Sequence, residues 1–336
     1  MTTVRLGSTP GIQQLRFDED DGDGNPGPDE IVVKIHASSL NQHDYNVVLG
    51  RLPSEPGRIL LADASGVVEA VGENVEDLAP GDQVISCFFP YWQDGQPTIP
   101  DFSTTPGDGL DGFARSRVVC PSTWFTRAPA HLSFLQAATL PTAGLTAWRA
   151  LVVEGQIKAG DSVLLLGTGG VAIFALQLAK AVGAHVIVTS SSDEKLARAA
   201  ALGANQTINY REHPEWEREV LTRTDGRGVD HVMEIGGPGT LPQSIAACRV
   251  GGHISLIGVL TGVAGAVPTA HLMARQQRLQ GIIVGSRQQQ IDMVRGLEAI
   301  SLVPVIDRTF QLQHLGEAFT ALAEATHFGK IAIQIA

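Results

Sequence analysis

Two short stretches of this 336-residue chain concentrate side chains that do chemistry. The first, Asn41-Gln42-His43-Asp44-Tyr45, places an amide two positions before an imidazole. An Asn amide aimed at an oxygen where negative charge develops stabilises that charge. A His exchanges protons near neutral pH. Asn41 and His43 are therefore the candidate catalytic residues. His43 has a second reading, as a loop residue that pairs with Asp44 or with a cofactor phosphate. The second stretch runs the apolar Val163-Leu164-Leu165-Leu166 through Gly167-Thr168-Gly169-Gly170 into Val171-Ala172 and a helix. Gly167 makes the tight turn, Gly169 lets the backbone approach a pyrophosphate, and Ala172 packs the helix on the strand. The helix start adds unpaired N–H groups and partial positive charge for the phosphates. Gly167, Thr168, Gly169, Gly170 and Val171 are thus the expected phosphate cradle of a dinucleotide.

The end of the next strand selects the dinucleotide. NAD sites place an Asp or Glu there, about 20 residues on, to hold the ribose 2′-hydroxyl. Here the strand His185–Thr189 ends in Ser190-Ser191-Ser192, with Lys195 just beyond. Hydroxyls and a lysine suit a 2′-phosphate that an acid would repel. The serines also read as caps of the following helix, Ser192 or Asp193 in particular. NADPH is the favoured cofactor.

These stretches need elements to hold them. Up to about residue 125 the chain reads as short strands between Gly/Pro turns, among them Ile31–Ala37, Gly66–Val71 and Gln83–Cys87. A helical run from Ser133 is expected to stop at Pro141, and a second spans Leu145–Val153. Strands then alternate with helices: Ser162–Leu166, Val171–Val182, His185–Thr189, Asp193–Leu202, Gln206–Asn209, Glu215–Arg223, Val229–Ile235, Leu241–Arg249, His253–Ile257 and Leu279–Val284. That alternation specifies a parallel sheet with right-handed crossovers. The chain finishes strand, helix, strand over Pro304–Phe310, Leu315–Ala323 and Lys330–Ile335.

Composition excludes several other classes. The 24 Lys+Arg against 35 Asp+Glu give a net charge of −11, with no basic cluster for nucleic acid. No stretch approaches the ~18 apolar residues of a membrane span. The start MTTVRLGSTP lacks the apolar core of a secretory signal. Cys87, Cys120 and Cys248 are widely spaced, as expected of free thiols in a reducing compartment, so the cytoplasm is the expected location.

With these motifs in hand, the chain resembles the medium-chain dehydrogenase/reductase superfamily in its zinc-independent, quinone oxidoreductase-like branch. The resemblance runs through Ser39-Leu40-Asn41, Ala64–Gly72, Pro80–Val84, Ala143–Trp148, Gly167–Val171, Thr189–Lys195, Ile208-Asn209-Tyr210 and Gly329-Lys330. It implies an α/β fold: a Rossmann doubly wound parallel sheet (residues 127–287) beside a GroES-like β-rich catalytic domain made from both chain ends (1–126 and 288–336), with the active site in the cleft. In similar NADP-dependent members, the lysine and tyrosine matching Lys195 and Tyr210 hold the 2′-phosphate. Gly258, Val259, Val284, Gly285 and Ser286 match segments along the nicotinamide half, and Thr146 lies in a matching cofactor-binding motif. A homodimer is implied as well.

Zinc-dependent relatives bind catalytic zinc through Cys, His and Cys, and the matching positions are Asn41, Ala62 and Thr142. That set lacks the donors Zn²⁺ needs, and the four clustered cysteines of the structural site are missing, so no metal is expected. Without a Lewis acid, an unactivated alcohol has no means of stabilising its alkoxide. Conjugation spreads developing charge in an enone or quinone, so a reductase of such small molecules is expected, with Asn41 and His43 at the oxygen. Relatives often carry Tyr-Arg where this chain has Gln42-His43. A zinc-independent alcohol dehydrogenase or ketone reductase, and a non-catalytic NADPH sensor, are the alternatives. Glu19–Glu30 nearly fits a calcium loop, but strands on both sides and Pro26 and Pro28 favour a hairpin tip. Cys87-Phe88-Phe89-Pro90-Tyr91-Trp92 reads equally as a pocket wall for flat apolar molecules or as packing at a domain edge. His231 and His253, inside strands, read as structural.

Overall fold

The computed structural model describes residues 2–19 and 24–336. Two units make up the fold, Met1–Leu145 with Val284–Ala336, and Thr146–Ile283. These boundaries differ from the expected breaks at 126/127 and 287/288. Residues 127–145 stay with the first unit because their chain packs there, for example through Thr142, whose hydroxyl reaches Asp63.

The first unit begins with β1 (Thr2–Arg5) paired antiparallel to β2 (Arg16–Glu19). It continues through β3 (Glu30–Ser39), α1 (Gln42–Val48), β4 (Ser65–Val71), β5 (Gln83–Ser86), β6 (Arg117–Pro121), β7 (Phe125–Arg127) and α2 (Phe134–Ala137). Strand β3 buries Ile31, Val32, Val33 and Ile35, and it pairs on both sides, with β4 and with β6. The calcium-loop reading falls partly on residues 20–23, outside the described residues; its two flanks are strands.

Pro141 does not stop the helical run. The chain passes through it in a wider helical turn, Leu140–Gly144, and on into α3 (Leu145–Trp148). Proline is tolerated there because it stands in the first turn of that segment, where its missing N–H has no intrahelical acceptor.

The second unit alternates β8 (Ser162–Leu166), α4 (Gly170–Val182), β9 (His185–Ser190), α5 (Asp193–Ala201), β10 (Gln206–Asn209), α6 (Trp216–Thr222), β11 (Val229–Glu234), α7 (Leu241–Ala247), β12 (Cys248–Leu256), α8 (Thr269–Ala274) and β13 (Arg278–Gly281). Its six strands are all parallel, in the order β10-β9-β8-β11-β12-β13. Every residue of β8 is buried, as a central parallel strand covered on both faces requires. Helix α7 ends at Ala247, and the chain from Cys248 is already strand. The last strand ends at Gly281, short of the expected Leu279–Val284, and Val284 itself takes a positive φ of 44°, which no extended strand accommodates.

The chain then returns to the first unit as α9 (Arg287–Ile300), β14 (Ile306–Gln311), α10 (Leu315–Ala323) and β15 (Lys330–Gln334). Strand β15 inserts antiparallel to β3 and completes a sheet ordered β14-β15-β3-β4-β5-β7, with β6 also on β3. The apolar face of α10 packs with Leu40, Val47 and Leu60 in the core of this unit.

Candidate active site

In the first unit, Asn41 is the residue before α1, and it joins a buried polar cluster centred on Asp63. The Asp63 carboxylate accepts hydrogen bonds from Thr142 Oγ1 at 2.6 Å, Ser39 Oγ at 2.6 Å and Asn41 Nδ2 at 2.8 Å. Lys330, the first residue of β15, donates from Nζ to the Leu40 carbonyl at 2.6 Å and to Asn41 Oδ1 at 2.5 Å. Its ammonium lies 3.7 Å from Asp63. Burial pulls the Lys330 ammonium below its ordinary pKa, with Asp63 and Asp44 opposing. Asp44 turns back to accept from the N–H groups of Asn41 and Ala62, and burial pushes its carboxyl up. Asn41, Ala62 and Thr142 thus do meet around one point. Ala62 brings no donor atom, and the other two side chains bond to Asp63. Leu61, fully buried, has a φ of 72° just before Ala62. Such left-handed backbone costs about 1–3 kcal/mol and gathers at functional sites. Among the described residues, no group of three or more His, Cys, Asp or Glu is arranged to hold a metal.

His43 does not pair with Asp44. Its Nε2 lies 3.2 Å from Asp108 Oδ2, and both side chains are nearly buried. The imidazole sits among aromatic rings, with Phe102 at 4.7 Å and Phe88 at 5.2 Å between centroids. Phe88, Phe89 and Trp92 are buried, while Tyr91 is exposed. The aromatic segment after β5 therefore walls the candidate catalytic histidine. In the same unit, Val284 is buried in its left-handed conformation, an added Cβ on Gly285 would lie 3.0 Å from Leu145, and Ser286 caps α9 by accepting from Gln289 N.

In the second unit, the glycine turn expected to cradle phosphates leads from β8 into α4. Gly167 has φ 79°, which a side chain would strain, and its N–H bonds to Thr189 at the end of β9. Gly169 precedes α4, no side chain caps that helix, and a Cβ placed on Gly169 would meet nothing within 4 Å. The cradle therefore offers free N–H groups at the start of a 13-residue helix with room beside them, which fits a pyrophosphate. Asn209 of β10 pairs in register with Ser190 of β9, and Tyr210 N donates to the Ser190 carbonyl at 3.1 Å. This brings Ser190, Ser191 and Tyr210 to adjacent strand ends. Ser192 caps α5 by accepting from Lys195 N, and Asp193 is turned to Asn209. Beyond β12, Gly258 and Val259 lie against the loop that follows β11: an added Cβ on Gly258 would stand 2.5 Å from the Ile235 carbonyl. Thr146 is buried at the start of this unit.

Four further residues shape these sites. Asp63 and Asp108 carried no spacing signal, since their partners are distant in the chain, and Lys330 stood only in the Gly329-Lys330 motif of the resemblance, with no role given to it. Glu234, fully buried at the end of β11, accepts from the N–H groups of Gly236 and Gly237 and the hydroxyls of Thr240 and Ser244, fixing the loop beside Gly258. His231 and His253 are structural, as expected, bonded to Asp161 and Ser255.

Residues 27–130 match the alcohol dehydrogenase GroES-like domain family, and residues 170–299 match the zinc-binding dehydrogenase family. A zinc-type alcohol dehydrogenase-like protein of Schizosaccharomyces pombe is 42% identical over 340 residues, spanning 97% of this chain and 96% of the relative. A quinone oxidoreductase of Homo sapiens is 26% identical over 331 residues, spanning 95% of this chain and 92% of the relative. A solved NAD-dependent alcohol dehydrogenase superposes with a TM-score of 0.90 at 34% identity, with 100% of both chains covered. With the parallel nucleotide-binding sheet, the β-rich unit made from both chain ends and near-complete coverage by such relatives, the chain belongs to the medium-chain dehydrogenase/reductase family of oxidoreductases, in the branch of zinc-type alcohol dehydrogenase-like and quinone oxidoreductase-like proteins.

Proposed function

We propose that this oxidoreductase uses NADPH, without zinc, to reduce a conjugated carbonyl compound or a quinone. The observation that carries this reading is the Asp63 cluster, where Lys330 and Asp63 occupy Asn41 and Thr142 around an Ala62 with no donor. A site that lacks a Lewis acid does best with substrates that delocalise their own developing charge. When bound, the reduced nicotinamide supplies a hydride. The residues of this chain do the rest. One Nδ2 hydrogen of Asn41 goes to Asp63, and the other is assigned to the substrate oxygen. His43 handles the proton. Phe88, Phe89 and Phe102 favour a flat apolar body.

The preference for NADPH rests on Ser190 and Ser191 at the end of β9, Tyr210 just after β10 and Lys195 in the first turn of α5, and on Asp193 being engaged with Asn209. The NAD-dependent neighbour makes the comparison with NADH essential. Residues Thr146, Gly258, Val259, Val284, Gly285 and Ser286 are proposed for the nicotinamide half. A homodimer is proposed on β13, an edge strand, with the exposed apolar residues Val263, Met273 and Ile283 on the same unit. A cytoplasmic location is proposed on three buried free cysteines.

The test follows NADPH and NADH consumption with an enone, a quinone and a saturated ketone in parallel, before and after chelation of metals. Turnover of the first two with NADPH, insensitive to chelator, is expected. A zinc that activity requires would overturn the reading. The alternative of ketone or alcohol chemistry is favoured by the His43–Asp108 pair, which offers a route for an alkoxide's proton. Tight NADPH binding with no turnover would instead indicate a cofactor sensor.

A further inference from the structure

We propose that Asp108 is the positioning residue for proton transfer: by holding Nε2 of His43 it makes Nδ1 the atom that exchanges a proton with the substrate oxygen. This rests on the reading of His43 as the proton donor.

The argument starts from hydrogen-bond bookkeeping. An ionised carboxylate only accepts, so the 3.2 Å contact from His43 Nε2 to Asp108 Oδ2 requires the proton on Nε2. In neutral imidazole the lone pair is then on Nδ1. That atom is buried, and it has no hydrogen-bond partner among the described residues. Two aromatic rings pack against the imidazole, Phe102 tilted and Phe88 edge-on. A buried acceptor without a partner costs free energy; Nδ1 of His231 and of His253 share that state, and His43 differs in standing two residues from Asn41, the amide proposed for the substrate oxygen. The complement of an Nδ1 lone pair is an O–H, and the complement of a protonated Nδ1 is an oxygen gaining negative charge. Both are states of one group, a carbonyl oxygen on its way to an enol, hydroquinone or alcohol.

The Asp108 side is built to be rigid. Its N–H bonds to the Thr105 carbonyl at 3.2 Å, and its own carbonyl accepts from Ser54 Oγ at 2.9 Å. The other acidic group beside His43 is Asp44, whose carboxylate is committed to the N–H groups of Asn41 and Ala62. Asp108 is therefore the acid that orients the ring. In the reducing direction the substrate carbon gains hydride from the reduced nicotinamide and its oxygen gains charge. The Nδ1–H bond of the imidazolium breaks, the electron pair stays on nitrogen, and an O–H bond forms. His43 is left neutral with Nε2–H still on Asp108, and solvent restores the proton.

The test compares the intact chain with Asp108→Asn and Asp108→Glu. An Asn amide donates to Nε2 as readily as it accepts, which permits the opposite tautomer without loss of volume. With 2-cyclohexen-1-one or a quinone as acceptor, Asp108→Asn should lower kcat roughly 100-fold and raise the solvent deuterium isotope effect on kcat, with NADPH affinity unchanged. Asp108→Glu should recover part of the loss. Independently of turnover, ¹⁵N NMR of histidine-labelled protein, with His43→Gln to assign the signal, should show His43 protonated on Nε2 in the unliganded chain. Protonation on Nδ1, or an Asp108→Asn variant with unchanged kcat and isotope effect, would overturn the proposal. Absence of turnover by the unmodified chain on every acceptor would overturn the functional reading instead, and the NMR result would still decide the tautomer.

Discussion

Lys330 donates a hydrogen bond from its buried ammonium to the amide oxygen of Asn41, a residue 289 positions earlier in the chain. The same ammonium faces Asp63, so one lysine at the start of β15 orients a candidate catalytic amide and neutralises the carboxylate that holds its other end. The return of the chain's C-terminal strand to the first unit is thus tied directly to the proposed site.

Removing that cation should expose how much depends on it. Lys330→Met leaves the Asp63 carboxylate buried without a countercharge, a change that costs about 3–5 kcal/mol. Adding Asp63→Asn should recover much of this, since the buried charge disappears with its partner. Urea unfolding of both variants checks the prediction; a loss below roughly 1 kcal/mol in Lys330→Met would contradict it.

The phosphate cradle predicts a separation of binding from folding. Gly169 has extended backbone and open space on its side-chain face, so Gly169→Val fits the fold. It should weaken NADPH binding by at least ~10-fold, because the side chain fills the volume that the pyrophosphate needs. Fluorescence titration together with thermal melting measures both, and the melting temperature should not move.

Cofactor choice should reside at the ends of β9 and β10. Lys195→Ala combined with Tyr210→Phe removes a cation and a hydroxyl, at about 1.5–3 kcal/mol for a charge-assisted contact, or roughly 10–100-fold in NADPH affinity. NADH affinity should stay as it was. Ser190→Asp should go further and reverse the preference; equal losses for both cofactors would place the 2′-phosphate elsewhere.

The second unit should be sensitive to acid through His253. Burial, reinforced by the Arg278 charge, lowers its pKa from 6.5 to about 4. Between these values the unfolded chain binds a proton that the folded chain refuses. Stability is therefore complete above the unfolded value, falls as the pH drops toward 4, and levels off below it. The loss from this group amounts to about 3 kcal/mol. Denaturant unfolding from pH 7 to pH 4 should show it, and His253→Asn should flatten the slope. Burial also holds His185 and His36 below the ordinary histidine value, so they add to the loss in the same direction, and the His253→Asn comparison isolates the share of His253. Asp230 does not titrate in this window, as hydrogen bonds from Arg227, Ser162 and Arg249 outweigh its burial and hold it far below its ordinary pKa.

The parallel sheet was legible because strand and helix periods alternate from Ser162 through Leu256, whereas the short helix α8 (Thr269–Ala274) before the last strand was not read. The glycine turn after β8 was legible for the same reason: the form of Gly167 and Gly169 follows from backbone geometry, and their role toward a phosphate belongs to the proposal. Asn41 and His43 were put forward from their chemistry, but their hydrogen-bond partners were not read. Asp63 is 22 residues from Asn41 and Asp108 is 65 from His43, and neither distance leaves a periodic trace. The unit boundaries were misplaced because residues 127–145 read as the start of the helical half while packing with the strands. Val284 was read as strand, but it takes a left-handed backbone angle that no local preference of valine announces.

The central claim is tested most directly by following the transferred hydride as deuterium. Reduction of 2-cyclohexen-1-one with C4-deuterated NADPH, analysed by NMR of the product, should give cyclohexanone labelled at C3, the β-carbon. Label at C1 of an allylic alcohol would show attack on the carbonyl itself and contradict the account.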